Sequence, residues 1–225
     1  MKICAATGNA GKLRELRRIL EAQGHEVVSQ KELGITIEPD ETGTTFEENA
    51  LIKAETICKA SGLPTIADDS GLCVDALDGR PGVYSARYAG EHATDADNCA
   101  KLLEEMKGQK NRSAHFTCVL SLAVPSGPAL TWEASCAGEL LEEKKGESGF
   151  GYDPLFFYPD FGKTFAEVPL AQKSSVSHRG KALREFASDF DKVAQWVRQR
   201  MEEIKPAKPD HKEFEHNDWS QERMV

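Results

Sequence analysis

The chain has 225 residues and a formal charge of −9, from 28 Lys and Arg against 37 Asp and Glu. With 40% hydrophobic and 29% charged residues it has ordinary globular composition, and it is long enough to bury a core without disulfides or metals. The acidic balance argues against a clamp for duplex DNA, which needs a basic face, while a small anion can still be held by local Lys and Arg.

The six cysteines (Cys4, Cys58, Cys73, Cys99, Cys118 and Cys136) form no CxxC pair, and none lies at metal-ligand spacing from a His. Those in apolar runs read as small core residues. No apolar run approaches the ~20 residues of a membrane span, and the opening MKICAATGN turns polar too early for a secretory signal. The expectation is a reduced, cytoplasmic protein with neither a membrane nor a nucleic-acid partner.

In chain order, residues 2–6 (KICAA) read as a buried strand, and 11–23 as a helix with Leu13, Leu16, Ile19 and Leu20 on one face. Gly24 ends that helix, and 25–29 reads as a second strand. After a loop, Thr44 or Thr45 caps a helix running to about Lys59, with Glu47 or Glu48 completing a capping box. Residues 64–75 (PTIADDSGLCVD) read as two short strands around an Asp-Ser-Gly turn. The Gly- and Pro-rich stretch 78–92 reads as loop, and 95–107 as an amphipathic helix. Residues 113–124 and 129–138 form an antiparallel hairpin across Pro-Ser-Gly-Pro. Loops surround FGYDPLFFYP, and a final helix spans 178–203. The tail 205–225 has no periodicity and reads as disordered. Together this predicts an α/β fold with a mixed central sheet flanked by helices, the domain covering 1–204.

Several segments carry chemistry. TGNAGK (7–12) joins a strand to a helix, a junction whose free N–H groups and dipole suit a phosphate. Thr7, Asn9 and Lys12 add donors. The spacing is neither a Walker A loop nor GxGxxG. In IADDSG (66–71), adjacent acids on a strand point to opposite faces, so one can face a cleft while its neighbour braces the structure. A carboxylate there can hold a divalent cation or accept a proton from water. Asp40 and Glu41 can add a ligand from a loop, and Asn49 and Lys53 share a helix face. In FGYDP, Phe150 and Tyr152 offer stacking faces and Asp153 an acceptor before Pro154. In KSSVSHRG, Lys173, His178 and Arg179 cluster at a helix start capped by Ser177. Cations there oppose the helix dipole and call for an anion or carbonyl partner.

The ordered set TGNAGK, ETGTTFEENALIKA, IADDSGLCVDALDGRPGVYSARYAG, FGYDP and KSSVSHRGKAL closely resembles the inosine triphosphate pyrophosphatase family, in its bacterial-type Ham1 branch, over roughly positions 2 to 200. The resemblance implies two lobes around an active-site cleft, a homodimer and Mg²⁺ dependence. It implies hydrolysis of ITP, dITP and XTP to the monophosphate and pyrophosphate. By the same resemblance the phosphate loop is Thr7, Gly8, Asn9, Ala10, Gly11 and Lys12, and the catalytic acid is Asp69. The metal ligands are Glu41 and Asp69, with Ser70 and Lys53 as further phosphate contacts. The base pocket is Phe150, Gly151, Tyr152, Asp153, His178 and Arg179, with Lys173 nearby. Donors from His178 and Arg179 to a 6-oxo group would reject adenine; guanine shares that oxygen, so its exclusion has to act at the 2-position. Two competing readings are a Maf-type pyrophosphatase on modified pyrimidines and a nucleotide sensor without catalysis. The FGYD and SHR blocks argue against the first and the intact acids against the second.

Overall fold

The computed structural model describes residues 1–203. The tail expected over 205–225 lies outside the described residues.

The sheet has seven strands: β1 (Lys2–Ala5), β2 (Glu26–Ser29), β3 (Thr65–Val74), β4 (Ser113–Ala123), β5 (Leu130–Leu140), β6 (Phe156–Tyr158) and β7 (Lys163–Thr164). Their spatial order is β2-β1-β3-β4-β5-β6-β7. β1 runs parallel to β2 and β3, and every later pairing is antiparallel. The helices are α1 (Ala10–Glu21), α2 (Phe46–Ser61), α3 (Asp95–Glu105), α4 (Leu170–Val176) and α5 (His178–Glu203). The expected mixed sheet flanked by helices is therefore present. Among the described residues no helix is long and apolar enough to cross a membrane.

Local chemistry accounts for the helix ends. Thr45 and Glu48 form the capping box of α2, and Gly62 closes it at φ 66°. Thr94 and Asp97 do the same at the start of α3. The buried side chains form three clusters. One packs α1 and α5 on β1 and β4 through Leu16, Leu20, Leu120, Phe186 and Phe190. A second gathers Leu72, Leu102, Phe116, Phe156 and Phe165 at the α3 end. The third sets Ala54 and Ile57 of α2 against Cys4 and Ala67. Neighbouring strand positions divide between clusters, with Ile66 in the first and Ala67 in the third, so α2 covers the face of the sheet opposite α1 and α5.

Two sequence expectations need correction. Residues 65–74 are one unbroken strand, paired with β4 at every position, and not two strands around a turn. Gly71 is required by close approach: a Cβ there would lie 2.4 Å from the Gly82 carbonyl oxygen and 2.4 Å from Ser85 Oγ. A Gly serving proximity and a Gly serving a turn look alike in sequence. The second correction is α4, which falls where a polar loop was expected. Its seven residues bury only Lys173, too little for apolar periodicity to reveal.

Gly71→Ala is expected to destabilise the fold by about 2 kcal/mol, the scale of overpacking a tight contact. A thermal or urea melt reads this, and wild-type stability would show that the 82–85 segment yields freely.

Candidate active site

The site is organised by the alternation of β3. The main-chain groups of Ile66 and Leu72 point to the edge away from β4: Ile66 O accepts from Ala6 N–H at 2.8 Å, and Leu72 N–H donates to Ser85 Oγ at 2.9 Å. Pairing with β1 stops at Ile66. The N–H groups of Asp68 and Ser70, lying between, therefore face an open edge beside the β1–α1 loop. The side chains of Asp68 and Asp69 leave on opposite faces, as neighbours on a strand must.

Asp68 is buried against two cations. Its Oδ2 is 2.8 Å from Lys12 Nζ and 3.1 Å from Arg179 Nη2. Burial by itself would raise this carboxyl, but Lys12 and Arg179 outweigh it and hold Asp68 far below the usual carboxylate range. Arg179 also donates to Ser70 Oγ at 2.9 Å. The anion that two basic residues at a helix start called for is thus supplied from within, by Asp68 for Arg179 and by Asp153 for Lys173.

Asp69 faces α2. Its Oδ1 accepts from Lys53 Nζ at 2.8 Å, and Glu41 Oε2 lies 3.4 Å from the same ammonium. Burial, together with repulsion from Glu41 and Asp68, outweighs Lys53 and raises the Asp69 carboxyl. Lys53 is held in its charged form: burial opposes this, but Asp69 and then Glu41 prevail. Asn49 is fully buried between the acids. Its Oδ1 accepts from Gly43 N–H at 2.8 Å on the loop carrying Glu41, and its Nδ2 reaches Asp69 Oδ2 at 3.5 Å.

The TGNAGK loop uses several of its own donors. Asn9 caps α1, its Oδ1 accepting from Gly11 and Lys12 N–H at 2.8 and 3.1 Å, and Thr7 Oγ1 accepts from Asn9 N–H at 3.1 Å. Asn9 therefore serves as an acceptor, and the Gly8 and Ala10 N–H groups remain for an anion.

On the Asp68 face a cavity of about 250 Å³ is lined from Lys12, Ser70, Phe116, Phe150, His178 and Arg179, among others. Phe150 is 51% exposed, with Lys173 Nζ 4.6 Å and Arg179 Cζ 5.9 Å from its ring centroid. Tyr152 was expected as a second stacking face but is buried, its hydroxyl donating to Ser85 O at 2.8 Å. Asp153 accepts from Phe150 N–H at 3.1 Å and from Lys173, so it braces its own loop. His178 stacks on Phe116, ring centroids 4.8 Å apart. Burial first, then Arg179 and Lys173, push its pKa well below the ordinary value, so the ring is neutral. Both His178 Nδ1 and Arg179 Nε are buried without a hydrogen-bond partner. Ser177 Oγ caps α5 through Gly180 N–H at 3.2 Å. A Cβ on Gly180 would fall 1.8 Å from Ser174 O, so this glycine lets α4 and α5 meet where Lys173, His178 and Arg179 converge.

The model of the Ham1 family matches residues 3–189. The chain belongs to the Ham1 family. A Desulfotalea psychrophila protein named dITP/XTP pyrophosphatase is 56% identical over 218 residues, covering 97% of this chain and 98% of that protein. One of the same name from Haemophilus influenzae is 53% identical over 186 residues, 81% of this chain and 95% of that one. Among solved structures, the Staphylococcus aureus Ham1 protein matches with a TM-score of 0.81 at 40% identity, over 86% of this chain and 100% of that one. The nucleoside-triphosphatase / dITP/XTP pyrophosphatase of Mycobacterium abscessus matches with a TM-score of 0.71 at 44% identity, over 83% of this chain and 98% of that one.

In this Ham1 chain the sequence-selected residues divide between two faces of one strand. Glu41, Lys53 and Asp69 meet on one face and line no part of the cavity, which gathers Lys12, Ser70, Phe150, Lys173, His178 and Arg179 on the other. Sequence reasoning passed over Ser85 and Asp95. Asp95 Oδ2 accepts from Gly151 N–H at 2.6 Å, a contact 56 positions away in sequence with no local signature.

Asp68→Asn is expected to cost about 3 kcal/mol at neutral pH, the scale for leaving buried charges without their partner. Because the folded-state pKa of Asp68 is depressed, its contribution is complete above the unfolded value near 3.8 and is lost as pH falls. Urea melts should therefore show the gap between variant and wild type shrinking as pH drops below 4; a gap independent of pH would contradict the ionic reading.

Proposed function

We propose that this Ham1 chain is a nucleoside-triphosphate diphosphatase that hydrolyses the non-standard purine nucleotides ITP, dITP and XTP to the monophosphate and pyrophosphate. The observation that carries it is a cavity lined together by exposed Phe150 and by His178 and Arg179, two residues that each keep a polar atom, Nδ1 and Nε, without a hydrogen-bond partner. A base stacked on Phe150 would turn its 6-oxo group toward His178 and Arg179, both hydrogen-bond donors. Adenine presents an amino group there and would leave these donors unpaired, costing roughly 1–3 kcal/mol each. The relatives named dITP/XTP pyrophosphatase support this substrate class.

From the cavity, a triphosphate reaches the Asp69 face across the open edge of β3, past the Asp68 and Ser70 N–H groups. Lys12 keeps one donor on Asp68 and has two left for phosphate oxygens, and Lys53 presents its ammonium from the other face. Asp69 accepts the proton of a water attacking the α-phosphorus, and the bond from phosphorus to the bridging oxygen breaks as pyrophosphate leaves.

Mg²⁺ is the proposed cofactor, and Glu41 and Asp69 are the residues that would hold it. They already share the Lys53 ammonium. Among the described residues no group of three or more His, Cys, Asp and Glu is placed to hold a metal. Two carboxylates suit an ion that completes its shell with phosphate oxygens and water. When bound, it supplies neutralisation of charge on the leaving pyrophosphate. We further propose a cytoplasmic homodimer; all six cysteines are free thiols, in keeping with a reducing compartment.

Pyrophosphate release measured across the common and deaminated triphosphates in Mg²⁺ tests the reading, with turnover of dITP and XTP expected far above that of ATP. A preference for dTTP or UTP would sink it. Asp69→Asn should lower kcat by at least ~100-fold while the protein stays folded, the scale of a lost general base. His178→Ala should narrow the ITP-to-ATP ratio in kcat/KM about tenfold, the worth of one buried donor, and an unchanged ratio would remove His178 from base recognition.

A further inference from the structure

The sequence presents α3 as an ordinary amphipathic helix, yet three of its side chains hold both walls of the cavity. Asp95, Asn98 and Cys99 share one helix face by their i, i+3, i+4 spacing. Asn98 is buried; its Oδ1 accepts from Ala89 N–H at 2.8 Å and its Nδ2 donates to Ala86 O at 3.0 Å, which holds the turn Gly82–Arg87. On the other wall, Asp95 Oδ2 accepts from Gly151 N–H at 2.6 Å and Cys99 Sγ donates to Gly151 O at 3.4 Å. Both main-chain groups of Gly151 are therefore gripped from α3.

The position of Gly151 gives this grip its meaning. Its N–H belongs to the peptide plane that leaves Phe150, and the plane that enters Phe150 is held through Phe150 N–H by Asp153 at 3.1 Å. Both planes flanking the Phe150 Cα are thus fixed by carboxylates, and those planes set the direction of the Cα–Cβ bond. Phe150 is 51% exposed, so core packing does little to aim its ring. At the first position of α3, Asp95 would favour the helix dipole wherever its side chain pointed. Among the described residues it forms no ion pair, and its hydrogen bond leaves the helix for Gly151.

We propose that Asp95 is a positioning residue of the base pocket: by holding the Phe150–Gly151 peptide it aims the Phe150 ring and so sets the affinity for the purine base. The proposal rests on Phe150 being the stacking platform of the proposed function. Asp95 acts on the base and not on the phosphates, so its loss separates KM from kcat.

The test compares Asp95→Ala, Asp95→Ser, Asp95→Asn and Asp97→Ala. Steady-state pyrophosphate release is measured with dITP, and calorimetric titrations measure IMP and, separately, pyrophosphate. Asp95→Ala and Asp95→Ser lose the reach to Gly151. Both are expected to raise KM for dITP and Kd for IMP roughly fivefold to tenfold, the worth of one charge-assisted hydrogen bond partly open to solvent. For both, kcat should stay within about twofold and pyrophosphate affinity should not change. Asp95→Asn keeps an acceptor oxygen and should recover most of the affinity. Asp97→Ala breaks the capping box of α3 without touching Gly151, so it should lower Tm and leave KM and Kd alone. Wild-type affinity for IMP in Asp95→Ala and Asp95→Ser overturns the proposal. So does an equal loss of IMP and pyrophosphate binding, or a KM that rises with falling Tm in Asp97→Ala as well. Wild-type protein that binds IMP but hydrolyses no triphosphate would sink the proposed function alone, and the IMP titrations would still judge Asp95.

Discussion

One buried carboxylate oxygen joins three elements that are far apart in the chain. Asp68 Oδ2, in the middle of β3, accepts from Lys12 at the start of α1 and from Arg179 at the start of α5. A charge buried this deeply is tolerated only because it is paired, and the pairing in turn fixes where both cations stand. Lys12 is thereby held at the end of the loop 7–12 and Arg179 at the wall of the cavity that Phe150 also lines. Arg179 would otherwise stand at a helix N-terminus with the dipole against it. The same contact pulls α1 and α5 onto one face of the sheet, where they bury the largest hydrophobic cluster around Phe186 and Phe190.

The strand that carries Asp68 also separates two different side-chain environments. Successive side chains of β3 point to opposite faces, so Asp68 meets Lys12 and Arg179 and Ser70 lines the cavity on one face, while Asp69 faces Lys53, Asn49 and Glu41 on the other. A nucleotide has a flat, hydrogen-bonding end and a highly charged end, and these two environments suit different parts of it. The cavity is lined by the exposed ring of Phe150 with His178 and Arg179; the far face holds carboxylates and an ammonium. Early termination of β1 leaves the middle of β3 with an open edge between these two environments.

Much of the fold was legible along the chain, for local reasons. The capping box of α2, expected at Thr44 or Thr45 with Glu47 or Glu48 and found at Thr45 and Glu48, follows from short-range chemistry that needs no partner. The hairpin of β4 and β5 was similarly plain. The errors fell where a local signal has two meanings. Asp-Ser-Gly in β3 looks like a turn, but Gly71 is there because Gly82 and Ser85 crowd it. Tyr152 looks like a stacking surface, but its hydroxyl finds Ser85 and its ring is buried. The short α4 escaped notice because almost nothing on it is apolar and buried.

The residues themselves determined which groups were available: the acids of IADDSG, the lysines of TGNAGK and of α2, the aromatic of FGYD and the basic pair of SHRG. Period-2 alternation even determined that Asp68 and Asp69 must take different roles. Tertiary structure alone decided the partners, because those lie 16 to 111 residues apart on different elements and sequence carries no distance between them. It assigned Lys12 and Arg179 to Asp68, gave Asn49 and Lys53 to Asp69, and set α3 against the Phe150 loop through Asp95. The acid pair was plain in the sequence, but the packing of α1, α2 and α5 around β3 decided which carboxyl burial and its neighbours raise, Asp69, and which two cations hold ionised, Asp68.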